Sequence, residues 1–443
     1  MRYSIAFIAT VLFAFGSAFS QVAKVEVKQA NGSWTLSKNG IPYYIKGAGG
    51  QSQLEVLSQI GGNTIRTWSL DNAQKYLDAA HKNGHMVMMG LWVQHERHGF
   101  DYNDSIAVAK QLQYFTRKVK ELKNHPALLM WGIGNEVDLF YSNTKVWDAV
   151  QDIAKMIHEE DPNHPTSTVT AGLDSLEVDL IMRKCPDIDI YGINTYGDLK
   201  NALVNVSKYG WNGPIMITEW GPNGHWEVEK TSWGAPIEQS SSQKAESYSI
   251  RYDHIANAKK QCLGSFVFLW GQKQETTATW YGVFSENGEA TEVIDVLHKK
   301  WRNQAPTNSC PKIKSWELRD IDTDSVLKEH YLVSGKRYKA VAVFEDKDKD
   351  KLKLNWAVRS ESTSTKSGGD AESAISSIPG TVKRKKGDSV VFVAPKREGA
   401  YRLFVDATDG NNHVAYTNIP FYVKPSTSKR AIQLKKRSLI NKY

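Results

Sequence analysis

Short apolar runs recur along the first two thirds of the chain and alternate with longer amphipathic stretches. Eight of these runs are apolar at nearly every position, which is typical of strands that are buried on both faces of a parallel sheet. Eight strand–helix alternations over about 260 residues fit the size of a closed (β/α)8 barrel. The sequence therefore predicts an α/β fold built on a TIM barrel, with strands at IPYYIKGAGG (41–50), GNTIRTW (62–68), HMVMMGLWV (85–93), ALLMWGIGNE (127–136), TSTVTAG (166–172), IDIYGINTY (188–196), PIMITEWG (214–221) and SFVFLWG (265–271).

Helical periodicity separates these strands, and the first predicted helix opens with Asp71 as its N-cap. A hairpin with turns at Asn31-Gly32 and Asn39-Gly40 precedes the first strand. An open, doubly wound sheet is the competing fold. Its phosphate loop would be represented only by GAGG (47–50), and no acidic ribose partner follows at the expected distance. The predicted helices cover residues 71–83, 104–123, 145–160, 242–260 and 290–301.

The pattern changes after Trp301, where strand-like segments follow one another without helices between them. This arrangement predicts an immunoglobulin-like β-sandwich, for which a spacer or stabilising role is expected. The barrel and its hairpin are assigned to residues 21–302, a linker to 303–311 and the sandwich to 312–425. A polar stretch at 360–377 is predicted to be a mobile loop. The sandwich strands are predicted at 313–320, 338–345, 352–360, 389–395, 400–410 and 413–423.

The N-terminal residues indicate where the protein acts. Residues 1–20 contain a positive Arg2, a short apolar core and small residues before Gln21, which predicts a secretory signal peptide rather than a membrane span. Export to the periplasm or the extracellular space is therefore expected. The formal net charge is +8, but the basic residues lie in surface-type runs and in a tail at 426–443, and no nucleic-acid-binding motif accompanies them.

Cysteine and histidine spacing gives no sign of a metal or a disulfide framework. Cys185, Cys262 and Cys310 are expected to be isolated buried thiols, and one disulfide with one free thiol is the alternative. His95 and His98 are three residues apart, but no third protein ligand is evident. We expect no metal, no cofactor, no nucleic-acid partner and no membrane span, and we expect a monomer.

Polar residues suited to catalysis stand where the predicted strands end, which is where TIM barrels place their active sites. Two of them are carboxylic acids, Glu136 after the fourth strand and Glu219 after the seventh. Cleavage of a glycosidic bond needs such a pair, one group to protonate the leaving oxygen and one to attack or to direct water. A gap of about 5–5.5 Å allows covalent attack and retention, and a wider gap gives inversion. Other strand ends supply Arg66, Trp92, His95, Asn135, Asn194, Tyr196 and Trp270.

The two carboxyl groups also need different proton affinities. An ionised Glu219 would raise the pKa of Glu136, while Arg66 and Tyr196 could keep Glu219 ionised. Either glutamate taken alone could instead be an N-cap or a partner of a helix dipole. The joint pattern is stronger, because WGIGNE and ITEWG both end strands.

The motifs GIGNE (132–136) and ITEWG (217–221) resemble those of clan A of the glycoside hydrolases. The resemblance covers about residues 22–301. It implies that Glu136 is the acid/base, that Glu219 is the nucleophile and that Trp270 forms an aromatic floor under the sugar. It further implies that Asn135 binds a sugar 2-hydroxyl and that Tyr196 donates to the nucleophile, and it extends to Arg66 and Asn194. Val137 follows Glu136 where many relatives have proline, which argues against the largest cellulase- and mannanase-like families.

Within the clan, chain length, the exported barrel and the appended sandwich resemble glycoside hydrolase family 158. This resemblance implies a retaining endo-hydrolase of β-1,3-glucan such as laminarin, with Trp92, His95, His225 and Trp226 lining the cleft. The insertion 222–241 is long for such a connection and is expected either to wall the cleft or to be an ordinary surface loop. The alternatives are a clan A β-glycosidase acting on mannan or galactan, a transglycosylase, and a non-catalytic glycan-binding protein.

Overall fold

The computed structural model of the protein describes residues 22–426. The predicted signal peptide and the predicted basic tail beyond Ser426 lie outside the described residues. A search of residues 22–426 finds no helix with the length and hydropathy that crossing a bilayer requires. A closed barrel of eight strands is followed by two sheets that form a β-sandwich, so the predicted fold class is confirmed.

A three-stranded antiparallel sheet opens the described chain, formed by β1 (Val25–Ala30), β2 (Ser33–Lys38) and β3 (Ile41–Pro42). Its turns use Asn31-Gly32 and Asn39-Gly40, and all four residues have positive φ, because tight hairpin turns need the left-handed backbone that Asn and Gly adopt most easily. The backbone N–H of Val25 donates to Asn163, which lies just before a barrel strand. The sheet therefore covers the N-terminal end of the barrel, where its apolar side chains pack against residues inside it.

The barrel consists of parallel strands that are buried along almost their whole length. Each strand pairs with the next in the chain, and the last closes onto the first. The strands are β4 (Ile45–Gly49), β5 (Thr64–Arg66), β6 (Met86–Leu91), β7 (Leu128–Ile133), β8 (Thr166–Ala171), β9 (Ile190–Asn194), β10 (Ile215–Trp220) and β11 (Cys262–Val267). The outer helices are α1 (Leu54–Gln59), α2 (Ala73–Lys82), α3 (Ser105–Leu122), α4 (Lys145–Glu160), α5 (Ser175–Lys184), α6 (Leu199–Asn205), α7 (Ser241–Asn257) and α8 (Glu292–Arg302).

The barrel differs from the prediction at several boundaries. The last strand, β11, lies three to four residues earlier than predicted, so residues 268–271 leave the barrel wall instead of belonging to it. The apolar run continues past β11 because Phe268 and Trp270 are buried against loops rather than in the strand. The short helices α1, α5 and α6 were not predicted, and α2 is preceded by Asn72 as N-cap rather than by Asp71.

The sandwich has two four-stranded sheets with a common apolar core. Its strands are β12 (Lys312–Asp320), β13 (Tyr331–Val333), β14 (Arg337–Glu345), β15 (Lys353–Ser360), β16 (Val382–Lys386), β17 (Ser389–Val393), β18 (Gly399–Thr408) and β19 (Val414–Lys424). One sheet has the order β12-β14-β17-β16 and the other β13-β19-β18-β15. Two of these strands were not predicted, because β13 has only three residues and β16 (VKRKK) is polar and largely exposed.

A buried polar network joins the sandwich to the barrel. The carboxylate of Glu238, in the loop after β10, accepts hydrogen bonds from Lys244 of α7 at 2.6 Å and from Asn418 of β19 at 2.6 Å. Arg402 of β18 pairs with Glu361 at 2.7 Å and also donates to the backbone carbonyl of Pro236. Such networks fix relative positions because each buried polar group would be costly without its partner. This network is therefore one of the places at which the sandwich is held against the barrel.

The three cysteines are free and buried, which confirms the expectation of isolated thiols. Cys185 and Cys262 lie in the barrel, and Cys310 lies in the segment between α8 and β12. Burial raises the pKa of Cys185 to about 12 and that of Cys262 to about 11. Thiols in this state are poor nucleophiles at neutral pH.

Candidate active site

A buried ion pair lies at the C-terminal end of the barrel. Arg66 ends β5 and Glu219 lies near the end of β10, and their side chains meet at 3.0 Å with 2% and 6% of their side-chain surface exposed. Arg66 also donates to the backbone carbonyl of Thr218 at 2.7 Å and to Asn135 at 2.6 Å. Because these partners come from the ends of β7 and β10, neither of which pairs with β5, the guanidinium fixes the position of the Glu219 carboxylate across the mouth of the barrel.

Two further donors hold the Glu219 carboxylate from other directions. The indole N–H of Trp68, two residues after Arg66, donates to Oε1 at 2.8 Å. The hydroxyl of Tyr196, just after β9, donates to Oε2 at 2.9 Å. Burial, and next the charge of Glu219, raises the pKa of Tyr196 well above its usual value, so this group stays a phenol that can donate. Three donors therefore fix the position and orientation of this carboxylate.

Glu136 is connected to this group through Asn194. The Asn194 side-chain amide donates to Glu136 Oε1 at 2.8 Å and to Asn135 at 3.1 Å, and its oxygen accepts from Thr218 at 2.8 Å. Glu136 has a φ of +52°, a left-handed conformation that is uncommon for residues other than glycine and is found at functional sites when the surroundings enforce it. Its backbone N–H is tied to Val169 of the neighbouring strand β8 at 2.9 Å.

The proton affinity of Glu136 is strongly changed by its surroundings. Burial raises the pKa of its carboxyl group to about 8, and the negative charge of Glu219 is the second cause. The carboxyl group is therefore protonated at neutral pH. A protonated acid beside a carboxylate that three donors hold is the arrangement that acid-assisted displacement requires.

Of the predicted binding residues, Asn135, Asn194 and Tyr196 lie in the network of the two glutamates. Trp270, by contrast, does not form a floor beside them. Its ring packs on Phe284 at 5.1 Å, its indole N–H donates to the carbonyl of Ser52, and only 1% of the residue is exposed. Phe268, two residues earlier and also beyond the end of β11, lies beside Tyr196 instead, with ring centroids 6.0 Å apart.

Phe268 belongs to an aromatic cluster beside the nucleophile candidate. Its ring centroid lies 6.0 Å from those of Trp68 and Tyr196, which both bind Glu219, and 5.5 Å from that of Tyr281. Trp280 completes the buried part of the cluster. These rings exclude water around the carboxylate, which strengthens its hydrogen bonds. Sequence reasoning assigned no such role to Trp68, Phe268 or Tyr281, since aromatic residues after a strand are equally common in cores.

The loop after β6 contains a stack of three rings. Trp92 and His95 are nearly parallel at 4.7 Å, and His98 stacks on His95 at 5.2 Å. Burial, followed by the charges of Arg97 and His98, lowers the pKa of His95 to about 4, so it is neutral and its Nδ1 accepts from Arg97 at 3.1 Å. No side-chain hydrogen bond within residues 22–426 joins this stack to either glutamate, so sugar binding by Trp92 and His95 stays a prediction.

The insertion after β10 serves two purposes. Trp226 is 56% exposed and packs edge-on against Tyr196 at 5.8 Å, so it offers an aromatic face at the mouth of the barrel. His225 packs against Trp226 at 4.9 Å. Trp233 instead contacts Tyr331 of the sandwich at 5.1 Å. The insertion therefore borders the site at one end and supports the sandwich at the other.

In the described part of the chain, one cluster of three aspartates has the spacing of a metal site. Oxygens of Asp346, Asp350 and Asp409 lie within 4.8 Å of one another in loops of the sandwich. Asp350 accepts hydrogen bonds from two asparagine side chains, and Asp409 pairs with His413 at 2.8 Å. These contacts satisfy much of the cluster without an ion, and none of its residues touches the network of Glu136 and Glu219.

Comparison with known families points to the class of protein. Residues 51–225 match the family model described as glycosyl hydrolases family 2, TIM barrel domain. The matched stretch contains both Glu136 and Glu219. The barrel is thus similar to those of glycosyl hydrolases, and within that class to family 2. The expected resemblance to family 158 is not supported by this match, nor is specificity for β-1,3-glucan.

The more particular similarities are to beta-glucuronidases. One from Streptococcus agalactiae serotype V (strain ATCC BAA-611 / 2603 V/R) is 24% identical over 323 residues, which cover 62% of this chain and 52% of the relative. The chain therefore spans about half the length of that relative.

Solved structures give similarities of the same kind. A structure of beta-D-glucuronidase from Dictyoglomus thermophilum has a TM-score of 0.49 and 18% identity, with 64% of this chain and 54% of that chain covered. A calcium-binding mutant of Bacteroides uniformis beta-glucuronidase 2 has a TM-score of 0.50 and 13% identity, with 90% and 47% covered. At its level of identity the second similarity shows a shared fold and nothing more specific.

Proposed function

We propose that this chain is a retaining β-glycosidase that uses Glu219 as nucleophile and Glu136 as acid/base. One observation carries the proposal: Arg66, Trp68 and Tyr196 converge on the carboxylate of Glu219, while Asn194 ties a protonated Glu136 into the same network. A purely structural ion pair would not require a second, protonated carboxylic acid beside it. The match of residues 51–225 to a glycosyl hydrolase family supports the proposal.

The first step forms a covalent bond between sugar and enzyme. An oxygen of Glu219 attacks the anomeric carbon while the bond from that carbon to the leaving oxygen breaks, and Glu136 gives its proton to that oxygen. Tyr196 and Trp68 orient the attacking carboxylate. Arg66 pairs with it at 3.0 Å and holds it in place.

The second step releases the sugar with its original configuration. Once Glu219 is esterified it no longer carries the charge that raises the pKa of Glu136. Glu136, having lost its proton, can then act as a base and take a proton from water as the water oxygen attacks the anomeric carbon. The ester bond breaks, Glu219 returns as a carboxylate, and Glu136 is protonated again for the next cycle.

A neutral sugar fits the charges around the site better than a uronic acid does. Three cations near the mouth already have carboxylate partners: Arg66 pairs with Glu219 at 3.0 Å, Lys273 with Glu275 at 2.6 Å and Arg97 with Asp370 at 2.8 Å. The carboxylate of a glucuronide would have to compete with these groups. We therefore propose a neutral β-glycoside as substrate. A β-glucuronide is the second candidate, favoured by the names of the relatives.

The finer expectations from the sequence enter here as proposals. β-1,3-Glucan is one neutral β-glycan among several, and endo action is taken up below. Transfer to a sugar acceptor would use the same two steps with a sugar hydroxyl in place of water. Export, proposed from residues 1–20, would place the enzyme where polysaccharides are found.

The proposal is tested by following stereochemistry. Purified protein is offered 4-nitrophenyl β-glycosides of glucose, galactose, mannose and glucuronic acid, and proton NMR records the first anomer released from each substrate that is cleaved. We expect the β-anomer first and the highest kcat/KM on a neutral sugar. Release of the α-anomer first would rule out retention, and absence of cleavage of all four glycosides would argue for a non-catalytic protein.

Substitution of Trp68 tests how the nucleophile is held. Trp68→Phe keeps an aromatic ring but removes the N–H that donates to Glu219. Since hydrogen bonds to charged groups contribute about 1.5–3 kcal/mol, kcat/KM should fall by about 10- to 100-fold. Steady-state kinetics on the best aryl glycoside measures the change.

The matched control for this variant is Trp280→Phe, in the same aromatic cluster. The indole of Trp280 donates to the backbone carbonyl of Asn223 and not to a carboxylate. We expect its kcat/KM to fall by less than that of Trp68→Phe. Equal losses in the two variants would mean that Trp68 acts through packing alone.

A further inference from the structure

The loops at the C-terminal end of the barrel form two tall walls separated by two low gaps. The loops after β6 and β7 cover residues 92–104 and 134–144, and those after β10 and β11 cover 221–240 and 268–291. The loops after β4 and β5 are short (50–53 and 67–72), as are those after β8 and β9 (172–174 and 195–198). Because these pairs alternate around the barrel, the loops alone would leave a groove open at both ends.

A segment of the sandwich closes part of this groove. Residues 361–381, which connect β15 to β16 and are here named the strap, leave the sandwich and contact both walls. At the wall after β6, Arg97 binds the carboxylate of Asp370 through two nitrogens, at 2.8 and 3.2 Å, and also donates to the carbonyl of Ser367 at 3.2 Å. His98 reaches the same carboxylate at 3.2 Å.

The strap holds the opposite wall with a second set of contacts. Lys273, in the loop after β11, donates to the carbonyl of Gly369 at 3.2 Å. The backbone N–H of Thr276 donates to the carboxylate of Glu372 at 3.2 Å. The strap also lies close against the first wall: Gly368 has a φ of +62°, and a Cβ there would lie 2.5 Å from Leu139 of the loop after β7. The segment predicted as a mobile loop is therefore docked on the barrel.

The position of these contacts shows which gap is closed. The shorter path from β11 to β6 around the barrel passes β4 and β5, whose loops are short. The hydrogen bonds of the strap to the barrel go to the loops after β6 and β11, which flank this gap, and within residues 22–426 none goes to the loops after β7 and β10, which flank the other gap. The groove thus ends against the strap on the β4–β5 side and stays open on the β8–β9 side.

The positions of the two glutamates indicate which end of the substrate lies toward the strap. Arg66 and Trp68, two of the three residues that hold the nucleophile, belong to β5 and its loop, on the closed side, while the third, Tyr196, follows β9. Glu136, which must touch the leaving oxygen, follows β7, next to the open side. The part of the substrate that leaves therefore lies toward the opening, and the sugar that is attacked lies toward the strap.

We propose, on the basis of the function proposed above, that the strap closes the non-reducing end of the cleft and that the enzyme removes terminal sugars from β-glycan chains. The sandwich is then part of the substrate site rather than a spacer. The Arg97–Asp370 pair keeps the strap in place, since the side chain of Arg97 is only 9% exposed and also contacts His95. If the strap is no longer held in place, the groove should open at this end and accept internal segments of a glycan chain.

The experiment compares where oligosaccharides are cut. Hexaoses with β-1,3-glucose, β-1,4-glucose, β-1,4-mannose and β-1,4-galactose linkages, each labelled with 2-aminobenzamide at the reducing end, are digested to low conversion and separated by chromatography. For the hexaose that is cleaved, wild-type protein should give a labelled pentaose and an unlabelled monosaccharide. Internal cuts would give labelled di-, tri- and tetraoses at early times.

Two variants test the role of the strap. Asp370→Ala removes the pair with Arg97, and a second variant replaces residues 364–374 by two glycines. In each, the ratio of internal to terminal products should rise by about tenfold or more. The matched control is Asp179→Ala, which removes an exposed Asp–Arg pair on the outer helix α5 and should leave the ratio unchanged. Circular dichroism during heating checks that each variant is folded.

The outcomes separate this proposal from the function on which it rests. Internal cuts by the wild-type protein, or an unchanged ratio in both strap variants, would overturn the strap proposal while aryl glycoside hydrolysis still supports a glycosidase. Loss of a monosaccharide from the labelled end would mean that the opposite end is closed, and would also overturn it. If no aryl glycoside and no hexaose is cleaved, the proposed function fails and the strap proposal fails with it.

Discussion

Replacement of Glu219 by alanine is expected to lower kcat on aryl β-glycosides by about 10⁵-fold or more, because no other group can form the covalent bond to the sugar. The cavity left by the side chain lies among Arg66, Trp68 and Tyr196, three donors that remain in place. A small anion should enter this cavity. Sodium azide should therefore restore part of the turnover of an activated substrate such as a 2,4-dinitrophenyl glycoside.

The product of this rescue identifies the nucleophile. Azide that attacks from the position of Glu219 inverts the anomeric carbon, and no second displacement follows, so the product should be an α-glycosyl azide. The fitting comparison is Glu275→Ala, since Glu275 is a second buried carboxylic acid at the mouth and its pKa is raised by burial and, more weakly, by the charge of Glu219. Azide rescue in the Glu275 variant but not in the Glu219 variant would transfer the role to Glu275.

The placement of Glu136 and Glu219 at one rim could be predicted from the sequence because a barrel brings all its strand ends together. Glu136 and Glu219 are separated by more than eighty residues, but each ends an apolar run, and a closed parallel sheet puts such ends on one rim. The same reasoning placed Arg66, Asn194 and Tyr196 in the site. It needs only the order of the strands and the residue that follows each one.

The aromatic residues of the site could not be predicted in the same way. Trp68 was visible after the second strand, but an indole carries no sign of whether its N–H meets a carboxylate or a backbone carbonyl. Trp270 was expected to be the floor, and the structure instead places Phe268 beside Tyr196. The error arose because apolar residues beyond the end of β11 are buried by loops, so the pattern does not show where the strand stops.

The docking of the strap on the barrel could not be predicted from the sequence for a different reason. Arg97 and Asp370 are 273 residues apart and neither belongs to a periodic element. A polar segment rich in Ser, Thr and Gly reads as mobile, because nothing local fixes it. Its order comes from partners on another domain, and that domain is positioned by buried groups such as Glu238 and Arg402. Long-range polar complementarity leaves no local pattern.

Glu136→Gln is expected to separate the two steps of the reaction. Glutamine keeps the shape and can still accept from Asn194, but it cannot give or take a proton. For 4-nitrophenyl glycosides, which need little acid assistance, kcat should fall more than kcat/KM, since the second step has lost its base. For glycosides with a sugar leaving group, kcat/KM should fall by about 10²- to 10⁴-fold. Azide should raise kcat and give a β-glycosyl azide, because it attacks the covalent intermediate from the side of Glu136.

The pH profile gives the variant a second, independent signature. In the wild-type protein the acid must be protonated, and burial together with the charge of Glu219 raises its pKa to about 8. Wild-type kcat/KM on a poor leaving group should therefore fall as the pH rises through about 8, and Glu136→Gln should lack this limb. Asp138→Asn is the matched control, because Asp138 is a neighbouring buried carboxylic acid whose pKa burial raises to about 7, while its oxygens accept from the backbone of Ala171. If the alkaline limb disappears in Asp138→Asn and persists in Glu136→Gln, the acid is Asp138 and the assignment of Glu136 is wrong.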